Sequence, residues 1–251
     1  MTPIHMAEVH ALEQRAFNAW PAPRTVLHGD WVFRLAGGFT KRANSANAAL
    51  PGAGFGGVRQ AAEALYARHG LPTIFRMSPL ATPEADEELA GAGYLRFDPT
   101  VVASASLDGA AADRSVRIDA EPTPGWLAGF AAANQVAARD HALHHAIVRA
   151  IALPAAFATL GMDGAGGQPI GFGLAVLERG AVGCYDIVID PAHRRRGHAL
   201  RLMRALMHWA REQGAHACYL QVREQNAAAR HLYARLGFED RYPYHYRLPP
   251  P

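Results

Sequence analysis

The sequence predicts an α/β (α+β) protein with a mixed, mostly antiparallel central sheet flanked by helices. Three observations predict it. Residues 155–189 hold three apolar runs joined by glycine turns, the pattern of an antiparallel meander. Residues 182–247 then alternate strand-like and helix-like segments, which requires one crossover at the centre of the sheet. The first half, finally, holds a shortened copy of that ending, with the same order of elements and the same glycine spacing.

In the first half, Val58–His69 has the three- and four-residue apolar spacing of an amphipathic helix. Pro72–Met77 reads as a strand, Glu84–Ala92 as a helix, and Gly93-Tyr94 leads into another apolar run. The segment from Ser106 to Arg114 is small, polar and without period. It divides the chain into a half at 1–108, a linker at 109–116 and a half at 117–251. Thr123-Pro124 opens a helical stretch that runs to Leu153, with a break near Arg139-Asp140-His141, and Pro154 ends it. Ala155–Leu160 and Ile170–Leu177 are strands joined by the turn Asp163–Gly167, and Gly180 turns the chain into the nearly continuous apolar strand Val182–Ile189. A helix from about Gly197 to Gln213 follows, with Leu200, Met203, Leu206, Met207 and Ala210 on one face. Then come the strand Ala217–Val222, a helix opened by Asn226 and stopped by Gly237, and a last strand from Phe238 to Arg247. Gly70 and Gly93 are 23 positions apart, as are Gly214 and Gly237, and the same elements lie between each pair.

Composition narrows the function classes. Half the residues are apolar and 19% are charged, as in an ordinary globular enzyme. No stretch is long and apolar enough for a membrane span, and the first residues lack the order of a secretory signal, so a cytoplasmic location is expected. The net charge is +3, and Lys41 is the single lysine. Arginine carries the rest of the positive charge, which a GC-rich coding bias explains for the chain as a whole. No basic helix or aromatic-interleaved strand points to nucleic acid. Cys184 and Cys218 fall in strand segments and are expected as free, buried thiols. Asp140, His141, His144 and His145 raise the question of a metal. With no H-E-x-x-H and no cysteine nearby, a solvated or substrate-facing histidine cluster is the expectation, and no metal is expected.

The chemistry concentrates at Asp190-Pro191-Ala192-His193-Arg194-Arg195-Arg196-Gly197-His198-Ala199, where a strand ends and a long helix begins. The first amides of a helix have no internal partner and point outward with the positive end of the macrodipole behind them, a ready site for phosphate. Arginines here can reach outer phosphate oxygens. The run R-R-R-G-H-A resembles the [Q/R]-x-x-G-x-[G/A] turn of the GNAT superfamily of acyl-CoA-dependent N-acyltransferases. Asn226-Ala227-Ala228-Ala229-Arg230-His231-Leu232-Tyr233, continuing to Gly237-Phe238, resembles that superfamily's second signature, N-x-x-A-x-x-L-Y-x-x-x-G-F. The two lie 32 positions apart with a helix and a strand between them, and the likeness covers roughly 117–248. The segments Asn18–Ala22, Gly29–Trp31 and Thr40–Ser45 are similar to an N-terminal region that precedes such domains in bacterial proteins, to which no activity attaches.

The resemblance implies a GNAT-type fold, two tandem GNAT-like domains, and acetyl-CoA as cosubstrate. It implies that the strand Ile187-Val188-Ile189 splays from its neighbour, so that pantetheine pairs with its edge and an amide near Val188 polarises the thioester. Pyrophosphate would lie on Arg194, Arg195, Arg196, Gly197, His198 and Ala199. Tyr233 is then the general acid for the leaving thiolate, although periodicity alone reads it as core. Asn226 reads both as a helix cap and as a partner for the pantetheine arm. For the base that takes a proton from the amine, Asp186 comes first, as a carboxylate in an apolar strand, and Glu178 second. The acceptor is a small-molecule or peptide amine. The first half has no counterpart of the Arg-rich turn, since Pro51–Gly57 is glycine-rich without a basic residue, so it is expected to be a degenerate copy without cofactor. A non-catalytic acyl-CoA sensor and a nucleotide-binding enzyme are the competing readings.

Overall fold

The computed structural model describes residues 5–107, 113, 115–162 and 167–250. It contains helices α1 (Met6–Ala19), α2 (Val58–Arg68), α3 (Pro83–Gly91), α4 (Pro124–Ala133), α5 (His141–Arg149), α6 (His198–Glu212) and α7 (Ala227–Ala234). The strands are β1 (Arg24–His28), β2 (Trp31–Leu35), β3 (Ala46–Ala48), β4 (Phe75–Met77), β5 (Leu95–Ser106), β6 (Val116–Asp119), β7 (Ala155–Gly161), β8 (Pro169–Glu178), β9 (Ala181–Ile189), β10 (Ala217–Arg223) and β11 (Glu239–Leu248). Most of the linker expected at 109–116, and all but the last residue of the turn expected at Asp163–Gly167, lie outside the described residues. No helix among the described residues is long and apolar enough to cross a membrane.

Chain contacts group into two compact units. Residues 1–102, 221–226 and 240–251 form the first, and 103–220 and 227–239 the second. In the first unit, β1 and β2 make an antiparallel hairpin, β2 and β3 pair antiparallel, and β3 and β4 pair in parallel. The other side of β4 is covered by β11, antiparallel, with His245 opposite Met77 and Arg247 opposite Phe75. The core is aromatic, with Trp31, Phe55, Phe75 and Tyr94 meeting mostly edge to face. Beside it the fully buried Glu13 of α1 pairs with Arg76 of β4 and accepts a 2.7 Å bond from the Tyr242 hydroxyl. Arg76 also lies 3.7 Å from the centre of the Tyr244 ring. Removing either partner of such a pair strands a buried charge, so these residues fix β4, α1 and β11 together.

The second unit carries the sheet order β10-β9-β8-β7-β6. β6, β7, β8 and β9 form the expected antiparallel meander, and β9 and β10 are parallel, joined by the crossover helix α6. The Thr123 hydroxyl accepts from the Trp126 amide at 3.1 Å and Pro124 occupies the first turn, so α4 starts where the sequence signals it. α4 lies close on β8: a Cβ at Gly129 would stand 2.1 Å from the Phe172 ring. α6 covers the other face, where Gly173 leaves room for Ile187, Leu202 and Leu206.

The internal repeat extends to backbone conformation. Helix, strand, helix and strand recur as α2-β4-α3-β5 and α6-β10-α7-β11. Gly57 (φ 74°) and Gly197 (φ 80°) precede the first helix of each set, both left-handed and both without a side-chain cap. Gly70, Gly93, Gly214 and Gly237 are left-handed as well, one after each helix.

Candidate active site

The site is built on β9. Its parallel pairing with β10 is short, from Ala217 opposite Ala181 to Tyr219 opposite Gly183. On its other side β9 stays paired with β8 as far as Ile189 opposite Gly171. Among the described residues, β9 beyond Gly183 therefore has a ladder on one side only. Packing at the parting point accounts for this. A Cβ at Gly183 would come within 2.6 Å of the Tyr219 hydroxyl, and Tyr185 donates to that hydroxyl at 3.3 Å, so two large rings crowd the last shared residue.

A β-bulge then shapes the open edge. Tyr185 faces Leu174 and Val188 faces Phe172, so Asp186 and Ile187 together oppose the single residue Gly173. Asp186 is left-handed, with φ 52°, a conformation that aspartate tolerates better than most residues. The Asp190 amide donates to the Ile170 carbonyl at 2.9 Å. Alternation along the strand then turns the Val188 amide toward β8 as well, and leaves the Ile189 amide and the bulged Asp186-Ile187 segment at the open edge. The Ile189 carbonyl on that edge accepts from Arg194 Nε at 2.9 Å.

The bulge also decides where the Asp186 carboxylate goes. Its Oδ2 lies 2.7 Å from Nε2 of His144 on α5, and His144 is 1% exposed. The imidazole stacks on Phe130 at 4.5 Å between centroids and on Trp126 at 6.1 Å. An ionised carboxylate only accepts, so His144 donates from Nε2. The histidine cluster is thus divided. His144 is core and pairs with Asp186, against the expectation of a solvated or substrate-facing position, while His141 and His145 stay partly exposed.

Tyr233 sits on α7, half-buried, with its ring 5.7 Å from Phe238. Burial pushes its phenol pKa well up, and the nearby thiols of Cys184 on β9 and Cys218 on β10 push the same way. Those thiols mark the place where β9 and β10 part, so the tyrosine stands at the mouth of the opening. Both cysteines are free and buried, with sulfurs 3.5 Å apart.

At the far end of β9, Asp190 accepts from the Ala192 amide at 2.8 Å and turns the chain. Arg195 (φ 60°) and Gly197 (φ 80°) are both left-handed, which curls successive amides toward one point. Among the described residues, the amides of 195–199 donate to no backbone carbonyl, the Nδ1 atoms of His193 and His198 are buried without a partner, and the three arginines are exposed. Burial holds the His198 pKa down, helped by Arg201, His193 and Arg196. This donor-rich cradle fits a pyrophosphate. Asn226 immediately precedes α7 and is exposed. Glu178 is not brought to this place. It ends β8 opposite Ala181, at the other end of β9, where it pairs with Arg179 at 3.1 Å. Among the described residues no group of three or more metal-ligating side chains converges.

Comparison with known proteins agrees with this geometry. Residues 6–247 match the family described as "Probable histone acetyltransferase Rv0428c C-terminal". The chain is 28% identical over 252 residues to "Uncharacterized N-acetyltransferase YobR" of Bacillus subtilis (strain 168), covering 97% of this chain and 99% of that protein. Its fold is similar to a GCN5-related N-acetyltransferase from Kribbella flavida, with TM-score 0.72 and 17% identity over 100% of this chain and 97% of the other. It is also similar to a tandem GNAT protein from the clavulanic acid biosynthesis pathway, with TM-score 0.62 and 17% identity over 100% and 91% of the two chains. The edge of β9, the donor-rich turn and the match over residues 6–247 converge: the chain belongs to this acetyltransferase family and is a GNAT N-acetyltransferase.

Proposed function

We propose that the protein transfers an acetyl group from acetyl-CoA to a primary amine by direct attack on the thioester. The observation that carries this reading is the open edge of β9, which begins beside Tyr233 and ends in the cradle at 194–199. The amides of 195–199 bind the pyrophosphate, with Arg194, Arg195 and Arg196 on its outer oxygens. Pantetheine takes the place of a ladder partner along Ile187, Val188 and Ile189, with Asn226 on the arm. An edge amide next to Val188 donates to the thioester oxygen, where negative charge develops.

Asp186 takes the amine proton, directly or through a water, while His144 holds the carboxylate in place as a positioning residue. Tyr233, kept protonated by its burial, gives a proton to the departing thiolate. The acceptor is a small-molecule or peptide amine. The cradle belongs to the C-terminal half alone, since the loop before α2 offers no basic residue, and the N-terminal half is a degenerate copy that binds no CoA. The whole chain is a cytoplasmic enzyme.

Thermal shift with acetyl-CoA, CoA and ATP, followed by thiol release against a panel of amines, tests this. Both CoA species should stabilise the protein and ATP should not. Asp186→Asn should depress turnover by roughly 100-fold, leaving acetyl-CoA stabilisation unchanged. Absence of stabilisation by either CoA species sinks the reading, and full turnover in Asp186→Asn removes the base.

A further inference from the structure

Helix α5 presents two different faces. His144 turns toward Asp186, whereas His141, His145 and Arg149, spaced by four and four, turn toward a separate cleft of about 500 Å³. That volume is in the range of small-molecule sites, roughly 300–1,000 Å³. Its opposite wall is α4 and the segment after it, where Leu127, Ala131 and Val136 are apolar. One wall is therefore hydrocarbon and the other carries a fixed cation and two imidazoles.

Among the described residues nothing in the cleft neutralises that wall. No carboxylate lines it, and among the described residues Arg149 makes no ion pair. The nearest acid in sequence, Asp140, lies 3.9 Å from Arg139 and does not line the cleft. His141 uses Nε2 on the Val136 carbonyl at 3.0 Å, which closes one end of the cleft. Burial and the neighbouring His144, Arg149 and His141 all hold the His145 pKa down, so these groups crowd one another. The C-terminal dipole of α5 favours Arg149 but gives no reason for two imidazoles on the same stripe.

From this geometry we propose that the cleft between α4 and α5 binds an aliphatic carboxylate, with its chain on Leu127, Ala131 and Val136 and its head on Arg149 and His145. The bidentate guanidinium supplies the main contact for the head. The site lies on a different face of α5 from the one that holds Asp186, and it stands independently of the acyl-transfer reading.

Calorimetric titration of the full chain with octanoate, octan-1-ol and octylamine tests it. Octanoate should bind with about one site per chain, octanol about tenfold more weakly, and octylamine not measurably. Arg149→Gln should weaken octanoate about tenfold and leave octanol and the melting temperature unchanged. Ala128→Phe, at an exposed position on the cleft wall, should abolish both. Equal binding of octanoate and octanol, or octanoate binding in Arg149→Gln at the native affinity, overturns the proposal.

Discussion

At Asp186 a single backbone choice does most of the chemical positioning. By alternation from Tyr185, which shares the Phe172 and α4 face, the next residue belongs on the α6 face. Ile187 holds that face instead, packed by Gly173. One inserted residue resolves the conflict and lets the carboxylate reach α5. The proposed acid is Tyr233. Tyr233→Phe removes one hydroxyl and little packing, so turnover should fall by roughly 100-fold or more while acetyl-CoA affinity, read by calorimetry, stays within about twofold. Asp113 gives a pH test. Arg201 donates to it at 2.9 Å and, with the Ser115 contacts, holds its pKa down to about 2. An unfolded aspartate titrates near 3.9, so this contribution to stability is complete above about pH 4 and is lost as pH falls toward 2. In Arg201→Gln the Asp113 carboxyl, followed by NMR, should titrate closer to its ordinary value. Several of the proposed site residues stand out in the sequence because their signals are local: the Arg-Gly turn, Asn226 and Tyr233 lie in short fixed spacings. His144 does not. Its partner is 42 positions away, and nearness in sequence grouped it with the partly exposed His141 and His145.

At the scale of elements, close approach explains more than propensity does. α4 holds its place because Gly129 lets Phe172 lie against the helix axis. Gly129→Ala, good for an isolated helix, should here destabilise the protein by about 1–3 kcal/mol by overpacking. Urea unfolding measures it, and a neutral or stabilising result would contradict the packing seen. Element positions were largely readable: the break expected near Arg139–His141 is real, separating α4 from α5, and each strand from β7 to β11 begins or ends within about two residues of the sequence pattern. The short pairing of β9 with β10 was readable only through family likeness. It depends on Tyr185 and Tyr219 crowding Gly183, a contact between residues 34 to 36 positions apart.

For the whole molecule, the order of elements between the paired glycines recurs, but the chain does not close each copy on itself. β11, the last strand of the second copy, pairs with β4 in the first unit. The first unit is therefore completed by chain from both halves, an arrangement that no local pattern announces. Residues 1–108 and 117–251, produced separately, should each lack a cooperative unfolding transition, and mixing them should restore one, monitored by circular dichroism. Two separate cooperative transitions would show instead that each half folds alone. The pairing of His245 with Met77 spans 168 positions, and synthesis runs in one direction. As the chain leaves the ribosome, the first unit waits with the edge of β4 bare until β11 has been made. A nascent chain stalled short of residue 240 is thus an aggregation hazard, and the step that protects it is the arrival of β11.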